Sequence, residues 1–190
     1  MPTDEPEDET EKIDPFVWLV LVYRIPSEPS RLRSTVWRRL KALGAVYLQN
    51  SVAALPDTPG AGRALRKLRH DILQMSGSAI LMSSTVLVGE TNVLATFQEA
   101  RTDEYEEIVD RCGGFLAEIE KEYAKSHFTY AELEENEVDY TKLVNWLEKV
   151  RARDTFNAPG RAEAEAAVQK CEQVLEEYAS RVYAEEPEGH

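Results

Sequence analysis

Eight consecutive apolar residues, Phe16-Val17-Trp18-Leu19-Val20-Leu21-Val22-Tyr23, leave no polar position at which a strand could turn a face to water. A run of this kind, rich in β-branched and aromatic side chains, predicts a central strand covered on at least one side. It is far shorter than the roughly 20 residues that span a bilayer. Pro26 and Pro29 close it. Ahead of it, residues 1–14 hold seven acids, one lysine and two prolines with no apolar periodicity. That stretch predicts a disordered acidic tail. It also lacks the positive start and apolar core of a secretory signal.

After the prolines the spacing changes from strand to helix. Leu32, Val36, Leu40 and Leu43 recur at helical intervals from Ser30 up to a stop at Gly44. Ala45–Leu48 and Val52–Leu55 then read as two short strands about a Gln49-Asn50-Ser51 turn. A second helix, Ala61–Met75, buries Leu65, Leu68, Ile72 and Met75. Ala79–Met82 and Thr85–Val88 supply a fourth strand bent at Ser83-Ser84. The order β-α-β-β-α-β over residues 15–90 predicts an α+β fold, a ferredoxin-like βαββαβ domain.

Residues 91–186 read as a C-terminal α-helical extension of two to four helices. Tyr105, Ile108, Cys112, Phe115, Ile119 and Tyr123 keep one face apolar, and His127–Glu137 reads as an irregular acidic linker. Leu143, Trp146, Leu147 and Val150 mark the next helix, and Val168, Cys171, Val174, Leu175, Tyr178 and Val182 the last, with Pro159-Gly160 between them.

Charge is distributed unevenly along this order. The whole chain carries −13, yet between Phe16 and Val88 ten basic residues face only Glu28, Asp57 and Asp71, a net of +7. Two helices packed on one face of a sheet turn their outer sides the same way. Arg31, Arg38 and Lys41 on the first helix and Arg63, Arg66 and Lys67 on the second can therefore merge into one anion-binding surface. Lys and Arg contacts to phosphate supply most non-specific nucleic-acid affinity. The alternative is a pair of solvated faces matched to the acidic C-terminal half.

Motifs for bond-making chemistry are absent. The sequence has no Gly-x-Ser-x-Gly elbow, no Walker loop and no Gly-x-Gly-x-x-Gly turn. Cys112 and Cys171 lie on apolar helical stripes, where thiols behave as small hydrophobes. No two of the histidines and cysteines fall within four residues of each other, so neither a metal nor another cofactor is called for. His70, His127 and His190 read as surface groups, the Glu pairs as solvent-facing, and Trp18, Trp37 and Trp146 as packing anchors. No catalytic residue is expected.

The residues carry a resemblance. Trp18-Leu19-Val20-Leu21-Val22-Tyr23-Arg24-Ile25-Pro26-Ser27-Glu28-Pro29-Ser30-Arg31-Leu32-Arg33, then Val36-Trp37-Arg38-Arg39-Leu40-Lys41-Ala42-Leu43-Gly44-Ala45 and Asn50-Ser51-Val52, resemble the N-terminal domain of the ChrB proteins of bacterial chromate resistance. Asp154-Thr155-Phe156-Asn157-Ala158-Pro159-Gly160-Arg161 and the helix after it are similar to the end of that domain. The first hundred residues also resemble, more weakly, the central domain of PaaX-type repressors and the small nucleases of CRISPR spacer acquisition, which implies a dimerising module. The nucleases need an aspartate where this chain has Tyr23-Arg24. The ChrB resemblance implies a chromate-responsive transcriptional regulator.

The sequence thus predicts a cytoplasmic, non-enzymatic regulator with no membrane association. It would engage duplex DNA through Arg31, Arg33, Arg38, Arg39, Lys41, Arg63, Arg66, Lys67 and Arg69, and act as a homodimer. The competing expectation is an oxyanion-binding module, for chromate or another oxyanion held by the same arginines, or a protein-interaction module, without DNA binding in either case.

Overall fold

Strand β1 (Val17–Arg24) is the central element that its unbroken apolar run demands, and both its faces are covered. The computed structural model describes residues 16–185, so the tail expected at 1–14 lies outside the described residues. After β1 come α1 (Arg31–Leu43), β2 (Val46–Gln49), β3 (Val52–Pro56), α2 (Pro59–Gln74) and β4 (Ser78–Thr85). Three long helices follow: α3 (Glu90–Lys125), α4 (Tyr130–Arg153) and α5 (Arg161–Glu185). The fold is mixed α+β, a four-stranded antiparallel sheet of order β2-β3-β1-β4 followed by helices.

Alternation along the strands sorts side chains between two cores. Leu19 and Leu21 of β1 with Ala53 and Leu55 of β3 meet Val36 and Leu40 of α1 and Leu65, Leu68 and Ile72 of α2. Trp18, Val20 and Ala54 point the opposite way, onto Phe97, Val93 and Leu94 of α3. Each large apolar side chain so removed from water contributes roughly 1.5–3 kcal/mol. Beyond the sheet, α3, α4 and α5 form a bundle of their own. Its buried positions step by three and four: Tyr105, Ile108, Cys112, Phe115 and Ile119 on α3, and Ala164, Val168, Cys171, Leu175, Tyr178 and Val182 on α5. That is the 3.5-residue repeat of helices packed side by side at a shallow angle.

Three boundaries differ from expectation. The fourth strand ends at Thr85, and the apolar residues beyond it, Leu87 and Val88, stand 94% and 92% exposed. Helix α3 begins fifteen residues before Tyr105: Val93, Leu94 and Phe97 of its first turns pack on the sheet, and the charged inward positions 101 and 104 break the apolar stripe between them and Tyr105. The acidic stretch 130–137 is not a linker but the start of α4. Thr129 caps it, its Oγ1 accepting from Glu132 N at 3.3 Å, and Thr129-x-x-Glu132 has the spacing of a capping box.

The charged pair inside α3 is the joint between sheet and bundle. Arg101 Nε lies 2.8 Å from Glu104 Oε2, an ion-pair contact out of line for a hydrogen bond, and Arg153 of α4 clasps the same carboxylate with two nitrogens. Arg101 Nη1 donates to the carbonyl of Gly44 at 3.3 Å. Burial pushes the Arg101 guanidinium below its ordinary value, against the pull of Glu104. Beside it, Tyr105 donates to Asp154 Oδ2 at 2.9 Å, and Asp154 accepts from Ala158 N. This holds the α4–α5 connection so that Phe156 reaches the sheet, 5.2 Å from Phe16 and 5.8 Å from Trp18 between ring centroids. Tilted and edge contacts of this type add to simple burial.

Candidate nucleic-acid interface

Helix α1 buries Val36 and Leu40, and α2 buries Leu65, Leu68 and Ile72, so the residues on their far sides are forced outward. Thr58 starts α2, its Oγ1 accepting from Ala61 N at 3.1 Å with Pro59 in the first turn. Gly44 ends α1 in the left-handed conformation at φ 79°. The result places Arg31, Arg33, Arg38, Arg39 and Lys41 of α1 and Arg63, Arg66, Lys67 and Arg69 of α2 at exposed positions.

A crease of 320 Å³ between the two helices, lined by Arg39, Ala42 and Leu43 on one side and Ala64, Lys67 and Leu68 on the other, joins the two basic stripes. Arg39 is ion-paired with Asp71. Arg38 Nε donates to Ser34 O at 3.3 Å, and Arg69 Nε to Ala79 O at 3.1 Å, which ties Arg69 back to β4. Among the described residues, none of the other eight basic groups makes an ion pair. The acids of the bundle pair instead with the bundle's own bases, as in Lys142–Asp139, Arg161–Glu165 and Arg181–Glu185. Helix α3 lies on the opposite face of the sheet from α1 and α2, which is why.

Trp37 does not anchor a core. It is 49% exposed, one residue past the buried Val36 and hence about 100° around the helix, off the apolar stripe. Lys41 Nζ stands 5.5 Å from its ring centroid, within cation–π range. Trp37 and Arg33 line a 690 Å³ groove with Tyr23, Arg24 and Ile25 at the end of β1, Tyr47 on β2, and Asn50 and Ser51 in the β2–β3 turn. Tyr23 and Tyr47 share a hydrogen bond at 2.8 Å across it. Burial, helped by that bond, pushes the Tyr47 phenol above its ordinary 10. A helical wheel of 31–43 carries the signal for Trp37; nothing local in the sequence announces the groove, whose walls come from four elements.

Trp18 is fully buried and Trp146 packs against the bundle core, as expected of anchors. Both cysteines are buried and free, and burial raises both thiols, Cys171 to about 12. Counting histidines and cysteines alone overlooks one potential ligand set. Glu122, His127 and Glu132 bring ligand atoms within 4.8 Å of one another at the α3–α4 turn. Glu122 is already engaged by side chains of its own neighbourhood, Lys125 Nζ at 3.0 Å and His127 Nδ1 at 3.1 Å. The bond from Lys125, more than anything else, holds its carboxyl below the usual 4.5.

Comparison with known proteins agrees with the residues. Positions 33–189 match the family model described as Protein ChrB, N-terminal. A 66-residue segment, 35% of this chain, is 36% identical to Protein ChrB of Cupriavidus metallidurans and spans 20% of that relative's length. The family match begins inside α1 and takes in α2, the Asp154–Arg161 connection and the whole bundle.

Proposed function

The chain belongs to the ChrB family, matching its N-terminal domain over most of its length, and on that premise we propose a non-enzymatic regulator of chromate resistance that binds duplex DNA. The observation that carries the reading is the outer surface of α1 and α2. Nine exposed basic residues lie on these two helices in a chain of net charge −13, and of those nine only Arg39 is ion-paired among the described residues. Cations left without acidic partners on an acidic protein suit a polyanion, since each phosphate contact releases condensed counterions. Contacts of this kind position a protein on DNA, and an arginine at the crease can add readout of a guanine edge.

Finer parts of the reading have separate support. The strand order β2-β3-β1-β4, with α1 and α2 on one face, supports reading the sheet as ferredoxin-like. Strand β4 is an edge strand with Ile80 and Met82 exposed, next to Leu87 and Val88, which supports pairing with a second copy as a homodimer. Among the described residues no helix is long and apolar enough to cross a membrane; a cytoplasmic site of action is part of the proposal. The oxyanion alternative has less behind it, because Arg39 in the crease already holds Asp71.

Fluorescence anisotropy with mixed-sequence duplex DNA tests the proposal. Binding should weaken steeply with salt, with a log–log slope near −0.9 per phosphate contacted. The pair Arg38→Glu and Lys67→Glu should abolish it. Binding indifferent to salt and to both reversals would refute the DNA-binding reading; heat on titration with chromate in its place would favour the oxyanion.

A further inference from the structure

We propose that the groove between the end of β1, the outer face of α1 and the β2–β3 turn holds an unpaired nucleotide, so that the protein binds single-stranded nucleic acid through it. The inference rests on the nucleic-acid reading above, though not on duplex binding. Its walls combine three chemistries that a nucleotide requires together. Trp37, half exposed, offers an aromatic surface on which a base can stack. Arg24 and Arg33 supply positive charge beside it, and no acidic residue lines the groove. Asn50 and Ser51 add donors and acceptors able to meet a base edge.

The case for an unpaired base follows from geometry. A duplex presents base edges in its grooves and keeps base faces stacked inside, whereas an aromatic side chain engages a face. Trp37 cannot stack on a paired base without unstacking it. The volume of 690 Å³ is within the range of small-molecule sites, enough for a base and sugar. Trp37 also carries Lys41 over its ring, so the tryptophan and a cation act at one place, the combination that single-strand channels use. The crease between α1 and α2, by contrast, has basic residues and aliphatic ones but no aromatic.

The test uses the full chain and fluorescein-labelled dT12, read by anisotropy at several salt concentrations, with a 12-base-pair duplex in parallel. Trp37→Ala, on a half-exposed helical position, leaves the fold intact by circular dichroism. It should weaken dT12 binding by about tenfold or more, the usual size of a lost base–aromatic stack. Trp37→Phe should restore most of the affinity, and neither change should alter duplex binding more than about twofold, since stacking is confined to the single strand. Arg33→Ala should lower the dT12 salt slope by about 0.7, one phosphate's worth. No binding of dT12, or dT12 binding that ignores Trp37→Ala, overturns the proposal, as does loss of duplex and single-strand affinity in equal measure. Duplex binding that is lost with Arg38→Glu and Lys67→Glu while dT12 does not bind would sink this inference and leave the regulator reading standing. Binding of dT12 through Trp37 without duplex binding would do the reverse.

Discussion

Glu104→Gln removes one carboxylate and leaves two buried guanidiniums facing each other. The Glu104 side chain is 11% exposed, and its partners Arg101 and Arg153 are 6% and 16% exposed, so water cannot take over the lost charge. Breaking a buried pair by deleting one partner costs about 3–5 kcal/mol. For a chain of this size each kcal/mol lowers the melting temperature by roughly 2–4 °C, which predicts a fall of about 6–20 °C. Thermal and urea unfolding followed by circular dichroism at 222 nm measure it. Glu165→Gln is the control: its carboxylate serves Arg151 and Arg161 but is 39% exposed, and the expected loss is at most about 1 kcal/mol. The Glu104 effect should also persist in 0.5 M salt, a concentration chosen because exposed pairs are screened there. Adding Arg101→Met to Glu104→Gln should recover part of the loss by removing one stranded charge. A cost below about 1 kcal/mol, or one that salt erases, would refute the view that this cluster is a buried joint between sheet and bundle.

Two glycines should respond to alanine with opposite signs. At Gly44, φ is 79° and a Cβ would lie 2.6 Å from Arg101 Nη1 and 2.9 Å from Arg153 Cβ, so Gly44→Ala should cost at least about 1–3 kcal/mol in urea unfolding. At Gly60, in the first turn of α2 with nothing within 4 Å of a Cβ, Gly60→Ala should be neutral or stabilise by up to about 1 kcal/mol. Acid should act on the α3–α4 turn through Glu122. Its carboxyl is held below 4.5, so its contribution is present above that pH and lost as pH falls through the lower, folded value. Glu122→Gln should therefore lower stability at pH 7 and flatten its pH dependence below about 4.5; an unchanged slope in acid unfolding would show that Glu122 is not the group responsible.

Local pattern made much of the architecture legible. The uninterrupted run at 16–23 could only be a covered strand, and it proved central. Leu65, Leu68 and Ile72 announced the inner face of α2, and the steps of three and four from Tyr105 and from Val168 announced bundle helices. Errors arose where charge occupied the inside or apolar residues the outside. Arg101 and Glu104 interrupt the stripe of α3 because they pair with each other inside the fold and Glu104 is also clasped by Arg153, distant in the chain, and Leu87-Val88 reads as strand while standing in solvent. Trp37 was misread for a related cause: an aromatic residue on a helix is normally buried, and its angle around α1 outweighs that tendency.

The basic segregation between Phe16 and Val88 was written in the order of residues, as was the outward direction of the charges, because a helix repeats every 3.6 residues whatever surrounds it. Whether those charges would find partners was not. That depended on α3 covering the far side of the sheet, which leaves the bundle's acids to pair with the bundle's own bases and the arginines of α1 and α2, Arg39 apart, without acidic partners among the described residues. The groove at Trp37 is likewise a product of tertiary structure, joining side chains from β1, α1, β2 and a turn. Periodicity is a property of neighbours along the chain, whereas a site is made by neighbours in space, and only the packing of the two faces of one sheet brings these together.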